Sequence, residues 1–200
     1  MPLVGRDGWI EGVTRVESPN HDGRPDGVPI SLIVIHSISL PPGQFGGKAV
    51  LDLFTNRLDP EAHPYFVGIC NLRVSAHFLI ARDGSLIQLV SCLERAWHAG
   101  VSSWNGQARC NDFSLGIEVE GCDDTPFDDR QYASLSGLID ALRRSYPIRA
   151  IVGHSDVAPG RKTDPGPRFD WQRLGAFGLL PGNVRDRPAP CPIAAEPGEG

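Results

Sequence analysis

The segment 153–167, GHSDVAPGRKTDPGP, restricts this chain more than any other. Pro or Gly stands at 159, 160, 165, 166 and 167, which rules out a helix and confines the backbone to a stiff loop course. The segment follows directly on the apolar run 148–152 and carries His154, Lys162 and Asp164, a combination that a packed core rarely needs. Binding and catalytic groups gather on such loops when a rigid scaffold holds their ends. The segment is therefore expected to form part of a site at the end of a strand.

Periodicity supplies the scaffold. The β-branched run 31–36, bounded by Pro29 and by Pro41-Pro42-Gly43, reads as a buried strand ending at His36. Residues 48–58 suggest a short helix with Val50, Leu51 and Phe54 as its apolar stripe. Runs at 74–81 and 86–91 flank Arg82-Asp83-Gly84-Ser85, a hairpin signal because Asp-Gly tolerates the positive φ of a tight turn. Residues 113–120 alternate, with Phe113, Leu115, Ile117 and Val119 on one face and Ser114, Gly116, Glu118 and Glu120 on the other, so a strand with one apolar face is predicted. From Asp128 the spacing Tyr132, Leu135, Leu138, Ile139, Leu142, Tyr146 follows the helical period, with acidic residues in the first turn and Pro147 as the stop. A strand at 148–152 and a short closing helix at 169–177 complete the pattern.

Helices that alternate with strands, and strands that sometimes follow one another directly, predict a single α/β domain over residues 1–180, with a mixed central β-sheet flanked by α-helices. Residues 181–200 hold five prolines and almost no apolar periodicity, so they read as a mobile tail.

With 200 residues, 40% of them apolar, one substantial core is possible. A formal net charge of −5 argues against nucleic acid, whose binding requires many Lys and Arg against phosphates. The first residues lack a cationic stretch, an apolar core and a small-residue cleavage site, and no run approaches the ~20 apolar residues of a membrane span. A cytoplasmic monomer without a membrane partner is expected. Five scattered cysteines, none in C-x-x-C spacing, suit reduced thiols better than a disulfide framework or a thiolate zinc site.

Of the six histidines, His36 and His154 stand apart, because each ends an apolar strand where the chain breaks into a Gly/Pro loop. That is where α/β sheets present their sites. Two such strands side by side would bring both imidazoles to one sheet edge. Asp164 either adds a carboxylate oxygen or merely initiates a turn before Pro165. Two His nitrogens, one carboxylate and a water make an open tetrahedral zinc site of the hydrolytic kind, and a metal held this way acidifies its water and polarises a carbonyl oxygen. A base is then needed. Glu118 lies on the polar face of its strand and Glu120 shares that face as a rival, a solvated strand edge being the ordinary alternative for both. Lys162 either aims its ammonium at a developing oxyanion or is an ordinary surface lysine.

Six ordered blocks then match a family: HSISLPPG at 36–43, HPYF at 63–66, VSAHF at 74–78, RAWHAG at 95–100, CNDFSLGIE at 110–118 and RKTDPGP at 161–167. Across roughly residues 9–177 the chain resembles the zinc amidase and peptidoglycan-recognition superfamily, and within it the cytosolic 1,6-anhydro-N-acetylmuramyl-L-alanine amidases. The resemblance implies a mixed sheet flanked by helices and a Zn2+ cofactor. It also implies hydrolysis, in cell-wall recycling, of the amide joining 1,6-anhydro-N-acetylmuramic acid to L-alanine of the stem peptide, so that the partner is a small anhydro-muropeptide. By position, His36, His154 and Asp164 would be the zinc ligands, Glu118 the base and Lys162 the oxyanion partner. Tyr65, Trp97 and His98 would line the cleft, and Arg73 and Arg109 would take the carboxylates of the stem peptide, a task that suits a guanidinium fork.

One departure stands out. The family block usually has Asn after the first zinc histidine, whereas this chain has Ser37, a short hydroxyl in place of a longer donor and acceptor. Two alternatives differ in class. A non-catalytic muropeptide-binding module would be marked by a lost zinc ligand, yet all three candidates are present. An exported amidase acting on intact peptidoglycan would need an export segment. The Gly/Pro-rich stretch 41–47 reads as a lid over the site.

Overall fold

Because parallel strands are covered on both faces, their sequences run apolar without alternation, and Leu32, Ile33, Val34 and Ile35 show this in the middle of the molecule, each at most 1% exposed. The computed structural model describes residues 3–190. In chain order its strands are β1 (Thr14–Arg15), β2 (His21–Gly23), β3 (Leu32–Ile38), β4 (Phe78–Ile80), β5 (Leu86–Gln88), β6 (Glu94–Ala96), β7 (Ser103–Trp104), β8 (Gln107–Ala108), β9 (Ser114–Glu120) and β10 (Ala150–Gly153). Its helices are α1 (Ala49–Phe54), α2 (Asp129–Ser145), α3 (His154–Val157) and α4 (Gly182–Arg185), with 3₁₀ turns at Pro64–Gly68, Cys110–Asp112 and Trp171–Phe177.

Six strands form the main sheet in the order β1-β5-β4-β9-β3-β10. Strands β4, β9, β3 and β10 run parallel, while β5 returns antiparallel to β4 through the expected hairpin. There Ala81 N–H donates to Ser85 O at 2.9 Å, and Gly84 takes the φ of +85° that the turn needs. The mixed α/β domain read from the sequence is the observed one.

Helix α2 begins where Asp128 accepts from Arg130 N–H at 2.9 Å and its own N–H donates to Gln131 Oε1 at 3.0 Å, a reciprocal cap. Its Leu135, Leu138, Ile139 and Leu142 join Leu115, Ile117 and Val119 of β9 in one core. A second cluster, including Leu40, Val50, Leu53, Phe54, Phe66 and Leu79, packs α1 and the Pro64–Gly68 turn against the sheet.

Two expectations need correction. Strand β9 is buried at every position rather than along one face, because the His98 ring covers Gly116 and the Gly46 and Arg82 backbones close on Glu120 on its polar face. The segment 153–167 is not loop throughout: α3 makes one helical turn at His154–Val157 before the breakers start at Pro159. Within the stretch read as a tail from residue 181, α4 buries Val184 completely and Asn183 Nδ2 donates to Asp156 Oδ1 at 3.2 Å. Polar composition concealed a single apolar anchor there. Residues 191–200, with Cys191, lie outside the described residues. Among the described residues no helix is long and apolar enough to cross a membrane.

Candidate active site

Strands β3 and β10 are neighbours, with Gly153 opposite Ile35. His36 on β3 and His154, the first residue of α3, are therefore adjacent at the C-terminal ends of parallel strands. The stiff loop then returns Asp164 to the same place, its carbonyl accepting Ser155 N–H at 3.0 Å. Three atoms converge: His36 Nδ1 to His154 Nδ1 is 3.0 Å, and each lies 3.1 Å from Asp164 Oδ2.

This donor set fits a small divalent cation. Two nitrogens and one carboxylate oxygen form a nearly equilateral triangle, slightly tighter than the roughly 3.3 Å edge of a tetrahedron with ~2.0 Å bonds. Both histidines are buried, with the outer nitrogen of each engaged: His36 Nε2 lies 2.9 Å from His98 Nδ1 and His154 Nε2 lies 3.1 Å from Ala99 O. Such second contacts are how ligating imidazoles are oriented. Desolvation holds the His36 imidazole low, to about 4, so its ring is neutral and offers a lone pair. Burial alone would raise the Asp164 carboxyl, but the contacts with His154 and His36 outweigh it and the group is lowered, hence ionised.

Glu118 is registered directly against His36 across the β9–β3 pair, so the two side chains share a face. It is 8% exposed, and its Oε2 has no hydrogen-bond partner among the described residues. Desolvation first, then the charge of Asp164, raises its pKa well above the usual carboxylate range, against the opposing charge of Lys162. Glu120 is occupied differently. One oxygen accepts Gly46 N–H at 2.7 Å and the other Arg82 N–H at 3.0 Å, so this carboxylate anchors two loops. The solvated strand edge considered for both glutamates is absent.

A cavity of about 380 Å³ opens over these groups, and Ser37, Tyr65, Trp97, His98, Glu118 and Lys162 stand on its wall with the three converging residues. Arg73 and Arg109 do not line it. Arg73 is exposed between the lining residues Leu72 and Val74, and Arg109 Nε is paired with Asp112 Oδ2 at 3.1 Å. The stretch 41–47 borders the cavity only at Pro42 and is tied down through Glu120 and through Gly43 N–H, which donates to Ser39 Oγ at 2.9 Å. Sequence reasoning missed the Ala99 carbonyl, Ser114, Asn111 and Arg161 around the histidines. Backbone carbonyls leave no trace in side-chain identity, and the other three gain meaning only from what they touch.

Residues 26–167 match the N-acetylmuramoyl-L-alanine amidase family. The chain belongs to that family. It is 55% identical to the 1,6-anhydro-N-acetylmuramyl-L-alanine amidase AmpD of Citrobacter freundii, over 86% of this chain and 92% of that one. A crystal structure of a selenomethionine AmpD derivative superposes with a TM-score of 0.84 at 54% identity, covering 88% of this chain and 99% of the other. At 28% identity and a TM-score of 0.56, the fold also matches the Escherichia coli amidase AmiD in complex with its substrate anhydro-N-acetylmuramic acid-L-Ala-D-γ-Glu-L-Lys, over 90% of this chain and 66% of that one. The mixed sheet is thus the fold of this amidase family, and the chain is an amidase that hydrolyses a linear amide bond.

Proposed function

We propose that this amidase uses zinc to cleave the bond between 1,6-anhydro-N-acetylmuramic acid and the L-alanine of the stem peptide, acting in the cytoplasm on muropeptides recovered from the cell wall. The observation that carries the proposal is the meeting of two imidazole nitrogens and a carboxylate oxygen beside Glu118, a buried glutamate whose Oε2 has no partner among the described residues. Identity of 55% with an enzyme named for that substrate supports the finer reading.

His36, His154 and Asp164 would hold the metal. Bound there, zinc supplies Lewis acidity, polarising the scissile carbonyl and lowering the pKa of water. Glu118 takes a proton from the attacking water and returns it to the departing alanine nitrogen, a task suited to a carboxylate whose basicity is raised by burial. Lys162 stabilises the oxyanion of the tetrahedral intermediate from the cavity wall. Tyr65 and Trp97 offer flat apolar surface to the substrate, and Ser37 a hydroxyl in place of an amide. Arg73 meets a stem-peptide carboxylate at the rim, while Arg109 does so only after leaving Asp112.

Incubating the zinc-loaded protein with anhydro-muropeptide tests this. Free stem peptide and 1,6-anhydro-N-acetylmuramic acid are the expected products, with intact peptidoglycan a poor substrate. Binding without cleavage would identify a non-catalytic recognition module, and preferential attack on intact wall would identify an enzyme of the exported kind.

A further inference from the structure

We propose that His98 and Ala99 form one strap that positions both His36 and His154, fixing each ring with a bare Nδ1 toward Asp164; this rests on the reading of those three residues as a metal centre.

The direction of every bond follows from two backbone carbonyls, which can only accept. Ser114 Oγ lies 2.6 Å from Cys110 O, so its single hydrogen is donated there. That leaves the hydroxyl oxygen to accept from His98 Nε2 at 3.2 Å. With its proton on Nε2, the neutral His98 ring has a lone pair at Nδ1, which lies 2.9 Å from His36 Nε2. His36 must then donate from Nε2 and is bare at Nδ1. One residue along, Ala99 O faces His154 Nε2 at 3.1 Å and demands the same arrangement of the second ring. Adjacent residues therefore serve the two histidines, one through a ring nitrogen and the other through its backbone.

The strap is itself held. Asn111 Oδ1 accepts the N–H groups of His98 at 3.3 Å and Ala99 at 2.8 Å, and Arg161 donates to Ala99 O at 2.6 Å and to Val101 O at 2.8 Å. The His98 ring lies flat over Gly116, where a Cβ would come within 2.4 Å of its Cγ. No other residue leaves room there. His98 is thus a positioning residue, and its place on the cavity wall is incidental to that role.

The test combines zinc affinity, by chelator competition on the full chain, with nitrogen-detected NMR of the histidine rings in metal-free protein. His98→Ala is expected to weaken zinc by about 10–100-fold, the usual scale for loss of such an outer partner, and to expose the His36 Nε2–H signal to rapid solvent exchange. His98→Asn, whose Oδ1 occupies the place of Nδ1, should recover most of the affinity. Ser114→Ala removes one hydroxyl, keeps the fold if His98→Ala does not, and should weaken zinc less while exposing His98 Nε2–H. Wild-type affinity together with a still-protected His36 Nε2–H in folded His98→Ala, or no change in either readout for Ser114→Ala, overturns the proposal. A wild-type protein that binds no zinc would sink the metal reading instead, and the exchange of the ring N–H protons would still decide the strap.

Discussion

Glu118 and Glu120 are two residues apart on one strand, face the same side and are both buried, yet Glu120 holds Gly46 and Arg82 while Glu118 Oε2 has no partner among the described residues. Glu118→Gln is expected to keep the fold and zinc while losing ~10²–10⁴ in turnover, because the amide cannot accept the proton. Product formation under saturating anhydro-muropeptide measures this; near-normal turnover would assign the base elsewhere. Glu120→Gln should do the reverse. It weakens two charge-assisted bonds to Gly46 and Arg82, at a cost of about 1–3 kcal/mol seen in chemical denaturation, with turnover changed far less. Period-two alternation could place both on the polar face but could not separate them. Register against His36, and the approach of Gly46 and Arg82 from distant loops, does so.

At the scale of elements, the sheet and α2 were legible because their signals are local: β-branched runs, an Asp-Gly turn, and leucines at helical spacing between an Asp cap and Pro147. The face of α2 that this spacing picks out is the one found buried. Leu138→Ala should therefore cost about 2–5 kcal/mol, since it opens a void in the core shared by α2 and the sheet that neighbours fill only in part. Denaturant unfolding of the variant checks this, and a loss below ~1 kcal/mol would mean the packing around α2 is looser than its buried face suggests. Burial of the second face of β9 was not legible. Ser, Gly and Glu read as a polar face, and the His98 ring over Gly116 and the Gly46 and Arg82 backbones at Glu120 cover it from distant segments.

Across the whole molecule, the segment around α4 is tied to the turn at His154. Asp156, 4% exposed in its side chain, takes Gly153 N–H on one oxygen and Asn183 and Arg187 on the other, joining α4 to the turn that begins with His154. Val184→Asp would place an unpaired carboxylate in that contact. It is expected to lower stability by a few kcal/mol and to reduce zinc retention, both measurable by thermal unfolding with and without metal. A change confined to local mobility, with stability intact, would favour the reading of this segment as a free tail.

Residue order alone could name the chemistry here, since His, Glu, Lys and Asp stand in family blocks and each element announces itself within a few neighbours. Folding was needed to bring His36 and Asp164, 128 positions apart, to 3.1 Å, to tie Glu120 to Gly46 and Arg82, and to set Ala99 O against His154 Nε2. Those outcomes depend on contacts between distant segments and on backbone carbonyls, and neither is written in the identity of the residues that use them.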